Sequence, residues 1–202
     1  LTGRAPLPIP EKAPPETPDF PPRNPYKGLR AFKADDQADF FGRDEVIAAL
    51  TAKIEQPSTE SRLVAILGAS GSGKSSVAMA GLLPALQRRH PDWVFLPTIV
   101  PGIHPLDRLN TALSEAFHQT TAHIQKALDD PSTRGLHLLT TQHVGRGERR
   151  AVLLIDQFEE LFTQTADERE RAAFIDLITT AASEPNGALI VILTMRADFY
   201  DR

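Results

Sequence analysis

The chain has 202 residues, of which 41% are hydrophobic and 24% charged, the balance of a soluble globular protein with one sizeable core. Its formal charge of −4 offers no basic footprint for neutralising phosphates, which argues against a DNA or RNA partner. The absence of cysteine excludes disulfide frameworks and thiolate metal sites, and no apolar stretch approaches the roughly 20 residues that span a bilayer. A cytoplasmic protein with no membrane partner is the expectation.

Residues 1–25 hold nine of the seventeen prolines, a composition that favours extended polyproline conformations and predicts a semi-rigid linker. Residues 26–202 are expected to form the folded unit. The first residue is Leu1, and the last, Arg202, stops just past an apolar run, so a piece cut from a longer protein is expected. From Arg43 the spacing of Val46, Ile47, Leu50 and Ile54 predicts a helix, ended by Pro57, Ser58 and Thr59. The run Leu63 to Leu67 predicts the first strand. Ser75 to Leu83 predicts a second helix that Pro84 should end or kink before Ala85 to Arg89.

Val94 to Ile99 predicts another buried strand, Leu106 to Thr141 a helix-rich region, and Gly145, Arg146 and Gly147 a turn. Two further apolar runs, Ala151 to Ile155 and Ala188 to Thr194, predict strands. Between them lies helical spacing at Phe158, Leu161 and Phe162 and at Ala172, Phe174, Ile175 and Leu177. Continuous apolar strands alternating with helices indicate an α/β fold with a parallel sheet covered on both faces.

The segment after the first strand explains why so much backbone freedom follows an apolar run. Gly68, Ala69, Ser70, Gly71, Ser72, Gly73, Lys74 and Ser75 match GxxxxGK followed by Ser or Thr, the phosphate loop of nucleotide-binding enzymes. Glycines at this spacing let consecutive N–H groups turn inward as a nest for phosphate oxygens, next to the N-terminus of the following helix. Ser76 completes the candidate cradle. Lys74 is expected to reach the β- and γ-phosphates as a point charge, and the Ser75 hydroxyl to ligate magnesium.

An enzyme of this type needs a carboxylate at the end of a neighbouring strand to hold the magnesium shell, and "AVLLIDQFEE" places Asp156 there. The residue directly after that aspartate is often a glutamate that orients water, but here it is Gln157. Glu160 is the first choice to polarise water, with Glu159 beside it. The last strand ends in "ILTMRADF", so Arg196 is expected near the γ-phosphate with Thr194 as a polar partner.

Together these residues resemble the signal-transduction ATPases with numerous domains, the STAND class of P-loop NTPases, and in particular the bacterial branch called novel STAND NTPase 1. The resemblance is carried by "NPYKGLRAF" at 24–32, "FFGRDE" at 40–45, "GASGSGKSS" at 68–76, "LLIDQFEELF" at 153–162 and "LTMRADFYDR" at 193–202. It implies a three-layer P-loop sandwich in which the Arg196 strand lies between the phosphate-loop strand and the Asp156 strand. It also nominates Phe41, Gly42 and Arg43 as adenine contacts. Asp44 stands where the broader pattern has its first glutamate, and Val46 where it has the second. Family members continue into a fifth strand and a helical lid, which this chain does not include, so the phosphate-loop strand is expected at a sheet edge.

The leading expectation is therefore a regulatory ATPase, in which ATP and ADP favour different arrangements of a flanking effector domain and a flanking sensor domain, with self-association on activation. Two alternatives are a non-catalytic ATP- or ADP-binding scaffold and an AAA-type motor or loader. The guanine-reading motif Asn-Lys-x-Asp has no match after a later strand; the nearest, Phe32 to Asp35, precedes the phosphate loop and begins with the wrong residue. None of the six histidines pairs with another at the spacing of a helical metal site.

Overall fold

The computed structural model describes residues 31–32, 42–56, 58–145 and 148–199. The expected linker, most of the segment 24–41 with Phe41, and Arg146 and Gly147 of the expected turn lie outside the described residues.

The expected first helix, α1, spans Asp44–Ile54, with Asp44 and Glu45 in its first turn and Lys53 in its last, the arrangement that complements the helix dipole. Thr51 and Ile54 are buried, whereas Val46 is 44% exposed and turns away from the core. Just past the helix, Glu55 accepts from Arg89 Nε at 2.7 Å, from Arg89 Nη2 at 2.9 Å and bonds His90 Nε2 at 2.8 Å. These contacts tie the end of α1 to the end of the helix it packs against.

Four strands form one parallel sheet: β1 (Leu63–Gly68), β2 (Val94–Phe95), β3 (Ala151–Ile155) and β4 (Leu189–Arg196), in the order β1-β4-β3-β2. β4 thus lies between β1 and β3, as the resemblance implies. Its register sets Gly68 opposite Arg196 and Ile155 opposite Leu193, so the C-terminal ends of the three strands finish side by side.

The two-residue period of the strands divides the core in two. On one face Ala151, Leu153, Ile155, Leu189 and Val191 pack under α4 (Pro105–Phe117), α5 (Thr121–Leu128), α6 (Gly135–Val144) and α8 (Glu168–Ser183). On the other, Val152, Leu154, Ile190 and Ile192 meet Ile54 of α1 and Ala78, Leu82 and Leu86 of the helix after the phosphate loop. This is the helix-sheet-helix sandwich expected from the alternating pattern. β1 departs from it, because Leu63 and Leu67 are each 39% exposed and only its Val64 side reaches a core. The helices on the α8 side cover β2, β3 and β4, and among the described residues nothing buries that face of β1.

The other differences from the sequence expectation lie at two proline-containing segments. β2 is two residues long rather than six because the chain bulges just after Leu96; Val94 and Leu96 aim their N–H groups at β3, which leaves Pro97 on the outer side of this edge strand, where a proline costs no ladder bond. Leu96 still donates to Val152 O at 2.9 Å, but the next bond comes from Ile99 to Leu154 O at 3.0 Å, one residue later than an unbroken parallel ladder would place it. The extra residue makes a bulge, and Ile99 survives as an isolated bridge to Ile155.

At Pro84 the helix neither ends nor starts anew. α2 (Lys74–Ser76) widens into a π-helical stretch, Val77–Leu82, which closes with Leu83 N–H on Ala78 O, and α3 (Leu83–Arg89) continues through the proline. A proline ring ordinarily clashes with the carbonyl four residues back, here Ala80; the wider turn gives the ring room, so the helix tolerates it.

Gly135, the first residue of α6, is required for space. A Cβ there would lie 1.8 Å from Ala127 O and 2.6 Å from Ala127 C, both backbone atoms of α5 that no side-chain rotation can move. Gly135→Ala is expected to lower stability by about 3 kcal/mol through this overpacking, read as a fall in the urea midpoint at unchanged slope.

Candidate functional site

The loop between β1 and α2 takes its shape from two glycines. Gly71 and Gly73 have φ of +74° and +86°, in the left-handed region where a side chain is strained, and Gly73 is the residue before the helix begins. Ala69, Ser70, Gly71 and Ser72 are exposed, while Gly73, Lys74 and Ser75 are half-buried. Lys74 Nζ folds back over the loop, donating to Gly68 O at 3.0 Å and Ala69 O at 2.8 Å. Ser76 points the other way: its hydroxyl is buried and accepts from Phe32 N–H at 3.1 Å, joining the phosphate-loop helix to the segment before α1.

Ser75 and Asp156, 81 positions apart, meet at the end of the sheet. Ser75 Oγ donates to Asp156 Oδ1 at 2.7 Å, and Asp156 is only 3% exposed. A hydroxyl and a carboxylate in contact beside a phosphate loop are hard oxygen donors, the set that suits magnesium. Among the described residues no cluster of three or more His, Cys, Asp or Glu gathers elsewhere. Magnesium needs none, since one or two carboxylates with phosphates and water complete its shell.

The chain after β3 is shaped by β4. Asp156 N–H donates to Ile99 O at 2.9 Å, Gln157 N–H to Thr194 Oγ1 at 3.0 Å and Phe158 N–H to Thr194 O at 2.8 Å. Gln157 is thereby held at φ 54°, an uncommon conformation for a residue other than glycine, and this sharp reversal opens directly into α7 (Glu160–Thr163). The turn delivers Glu159 to the sheet end, where its Oε2 accepts from Arg196 N–H at 3.3 Å. Arg196 is the register partner of Gly68, so the Glu159 carboxylate is anchored one strand from the start of the phosphate loop. The Glu160 side chain forms no hydrogen bond among the described residues.

The Arg196 guanidinium is engaged by Asp198, with Nε 3.1 Å from Oδ1 and Nη2 2.6 Å from Oδ2, and its carbon lies 5.5 Å from the centre of the Phe199 ring. The Asp198 hydrogen bonds raise its pKa further. Gly42 and Arg43 are exposed at the start of α1, Gly42 with φ +78°. Two grooves lie apart from the loop. One, of about 580 Å³, runs between α1 and α3 beside Ala48, Ala52 and Ala85. The other, of about 570 Å³, sits near the strand starts beside Arg62, Trp93 and Arg150.

Two contacts were not specified by the sequence motifs. The clamp made by Thr194 left one signal, a polar residue closing the apolar run "ALIVIL", but its partners lie 37 and 38 positions away. The Phe32 to Ser76 bond left none.

The family described as Novel STAND NTPase 1 matches residues 25–202, and the chain belongs to that family. Comparison with curated proteins and with solved structures gives no match. Among the described residues no helix is long and apolar enough to cross a membrane.

Proposed function

We propose that this member of the novel STAND NTPase 1 family is an ATP-binding and slowly hydrolysing switch domain of a larger signalling protein. The observation that carries the reading is the 2.7 Å bond between Ser75 and Asp156, which joins the phosphate loop to a buried carboxylate at the carboxyl ends of parallel strands. In this reading the loop amides from Ala69 to Ser75 bind the phosphate oxygens, and Lys74 leaves the Gly68 and Ala69 carbonyls for the β- and γ-phosphates. Ser75 and Asp156 hold magnesium, which when bound neutralises charge developing on the phosphate oxygens. Glu159 or Glu160 orients the attacking water, and Arg196 senses the γ-phosphate once it leaves Asp198. Gly42 and Arg43, with Phe41, contribute to the adenine side.

The nucleotide's state would be passed to effector and sensor domains flanking this unit, with self-association in the active form. The alternative, a scaffold that binds ATP or ADP without meaningful turnover, draws support from Gln157. An amide in the position next to Asp156 cannot take a proton from water.

Thermal unfolding of the 202-residue chain with magnesium and ATP, ADP or GTP tests the reading. At a hundred times its dissociation constant a ligand stabilises by about 2.7 kcal/mol, which is a rise in Tm of roughly 5–10 °C for a domain of this size. A shift with the adenine nucleotides and a smaller one with GTP is expected. The same small shift with all three would remove the adenine assignment, and no shift in a folded sample would remove nucleotide binding by this chain. Single-turnover hydrolysis then separates switch from scaffold.

A further inference from the structure

Thr194 is 1% exposed at the C-terminal end of β4, and its hydroxyl lies between two elements of the candidate site. Oγ1 is 3.0 Å from Gln157 N and 2.5 Å from Asp156 Oδ1. The direction of both bonds is settled by chemistry. A backbone N–H can only donate, so the hydroxyl accepts from Gln157 and its single proton goes to the carboxylate. Ser75 donates to the same oxygen, so Oδ1 takes two hydroxyl protons and neither bond uses Oδ2.

We propose that Thr194 is a positioning residue that fixes the rotation of the Asp156 carboxylate toward Ser75 and locks the Gln157 turn beside it. The inference rests on the reading of Ser75 and Asp156 as the magnesium site. A carboxylate at the end of a side chain turns easily, and two donors on one oxygen restrict it to a single orientation before any ligand arrives. Ser75 belongs to the loop and must reorient its oxygen lone pairs to ligate a metal. Thr194, which belongs to the rigid sheet, can keep its bond throughout. The same hydroxyl holds the N–H of a residue in the left-handed region, so carboxylate orientation and turn conformation are coupled through one side chain. Second partners of this kind typically change metal affinity by 10- to 100-fold.

The test compares ADP affinity with and without magnesium, by calorimetry, in the full chain and its Thr194→Val, Thr194→Ala, Thr194→Ser and Asp156→Asn variants. ADP is used so that turnover plays no part. The expected result is that Thr194→Val loses at least tenfold of the magnesium-dependent gain in affinity, keeps magnesium-free affinity within about twofold, and is rescued by Thr194→Ser. Thr194→Ala, which removes the hydroxyl and crowds its neighbours less than valine does, gives the reading if the valine variant does not fold. A folded Thr194→Val or Thr194→Ala protein with the full magnesium gain, while Asp156→Asn loses it, overturns the role of Thr194 alone. A full gain in Asp156→Asn as well overturns the magnesium site and the inference with it.

Discussion

Lys74→Ala is expected to weaken magnesium-ATP binding by about two orders of magnitude while leaving the melting temperature of the free protein nearly unchanged. The two effects separate because the lysine has different partners in the two states. Without nucleotide, Nζ donates to Gly68 O and Ala69 O, and Ala69 is exposed, so water can replace the ammonium at little loss. With nucleotide, the same group faces phosphate oxygens in a concave loop, where two charge-assisted bonds contribute about 3 kcal/mol together, or roughly 100-fold. The loop itself survives the change, since its shape depends on Gly71 and Gly73 in left-handed conformations and not on the lysine. Calorimetric titration of wild type and variant, beside their unfolding curves, checks both halves. A variant that binds within fivefold of wild type would remove Lys74 from the phosphate site.

What the sequence made legible was contiguous or periodic. The phosphate loop is one uninterrupted motif, and β3 and β4 are continuous apolar runs whose burial on both faces follows from their place inside a parallel sheet. Asp156 followed from the end of such a run. The remainder depended on partners that spacing does not reveal. Pro97 and Pro84 carry the same local signal, a missing N–H and a fixed φ, yet one sits in a bulge that takes a strand out of register after two residues and the other is absorbed by a widened helix. The difference lies in the neighbour, a sheet ladder with a rigid register against a helix that can change its hydrogen-bond period. β1 reads as apolar as β3, and only the family resemblance, not its own residues, put it at the edge of the described sheet, where Leu63 and Leu67 remain partly exposed. Thr194, expected only as a polar partner of Arg196, meets Asp156 and Gln157 because the crossover order puts β4 between β1 and β3.

Glu159 and Glu160 show the same limit at the reacting end, and they set the second large effect. Adjacent residues at the start of a helix point about 100° apart, so only one of them can face the phosphate loop. Which one does is set by the left-handed Gln157, a conformation that glutamine has no local reason to adopt. With that turn in place, the Glu159 carboxylate is held by the N–H of Arg196, the strand partner of Gly68, whereas the Glu160 side chain has no hydrogen-bond partner among the described residues. The sequence alone ranked Glu160 first; the position of the Glu159 carboxylate favours the reverse. Glu159→Gln is therefore expected to lower single-turnover ATP hydrolysis by about 10²- to 10³-fold, the lower part of the range for losing a positioned general base, with ADP affinity unchanged. Glu160→Gln is expected to stay within threefold of wild type. The amide keeps the size of the side chain and its oxygen can still accept from Arg196 N–H, so a loss of rate reports the proton-accepting group and not a collapsed turn. If Glu160→Gln loses the rate and Glu159→Gln keeps it, the Arg196 bond is structural and the α7 turn must rotate when nucleotide binds. If both variants hydrolyse at the wild-type rate, neither carboxylate takes the proton, and any turnover rests on charge stabilisation by Lys74, Arg196 and the metal alone.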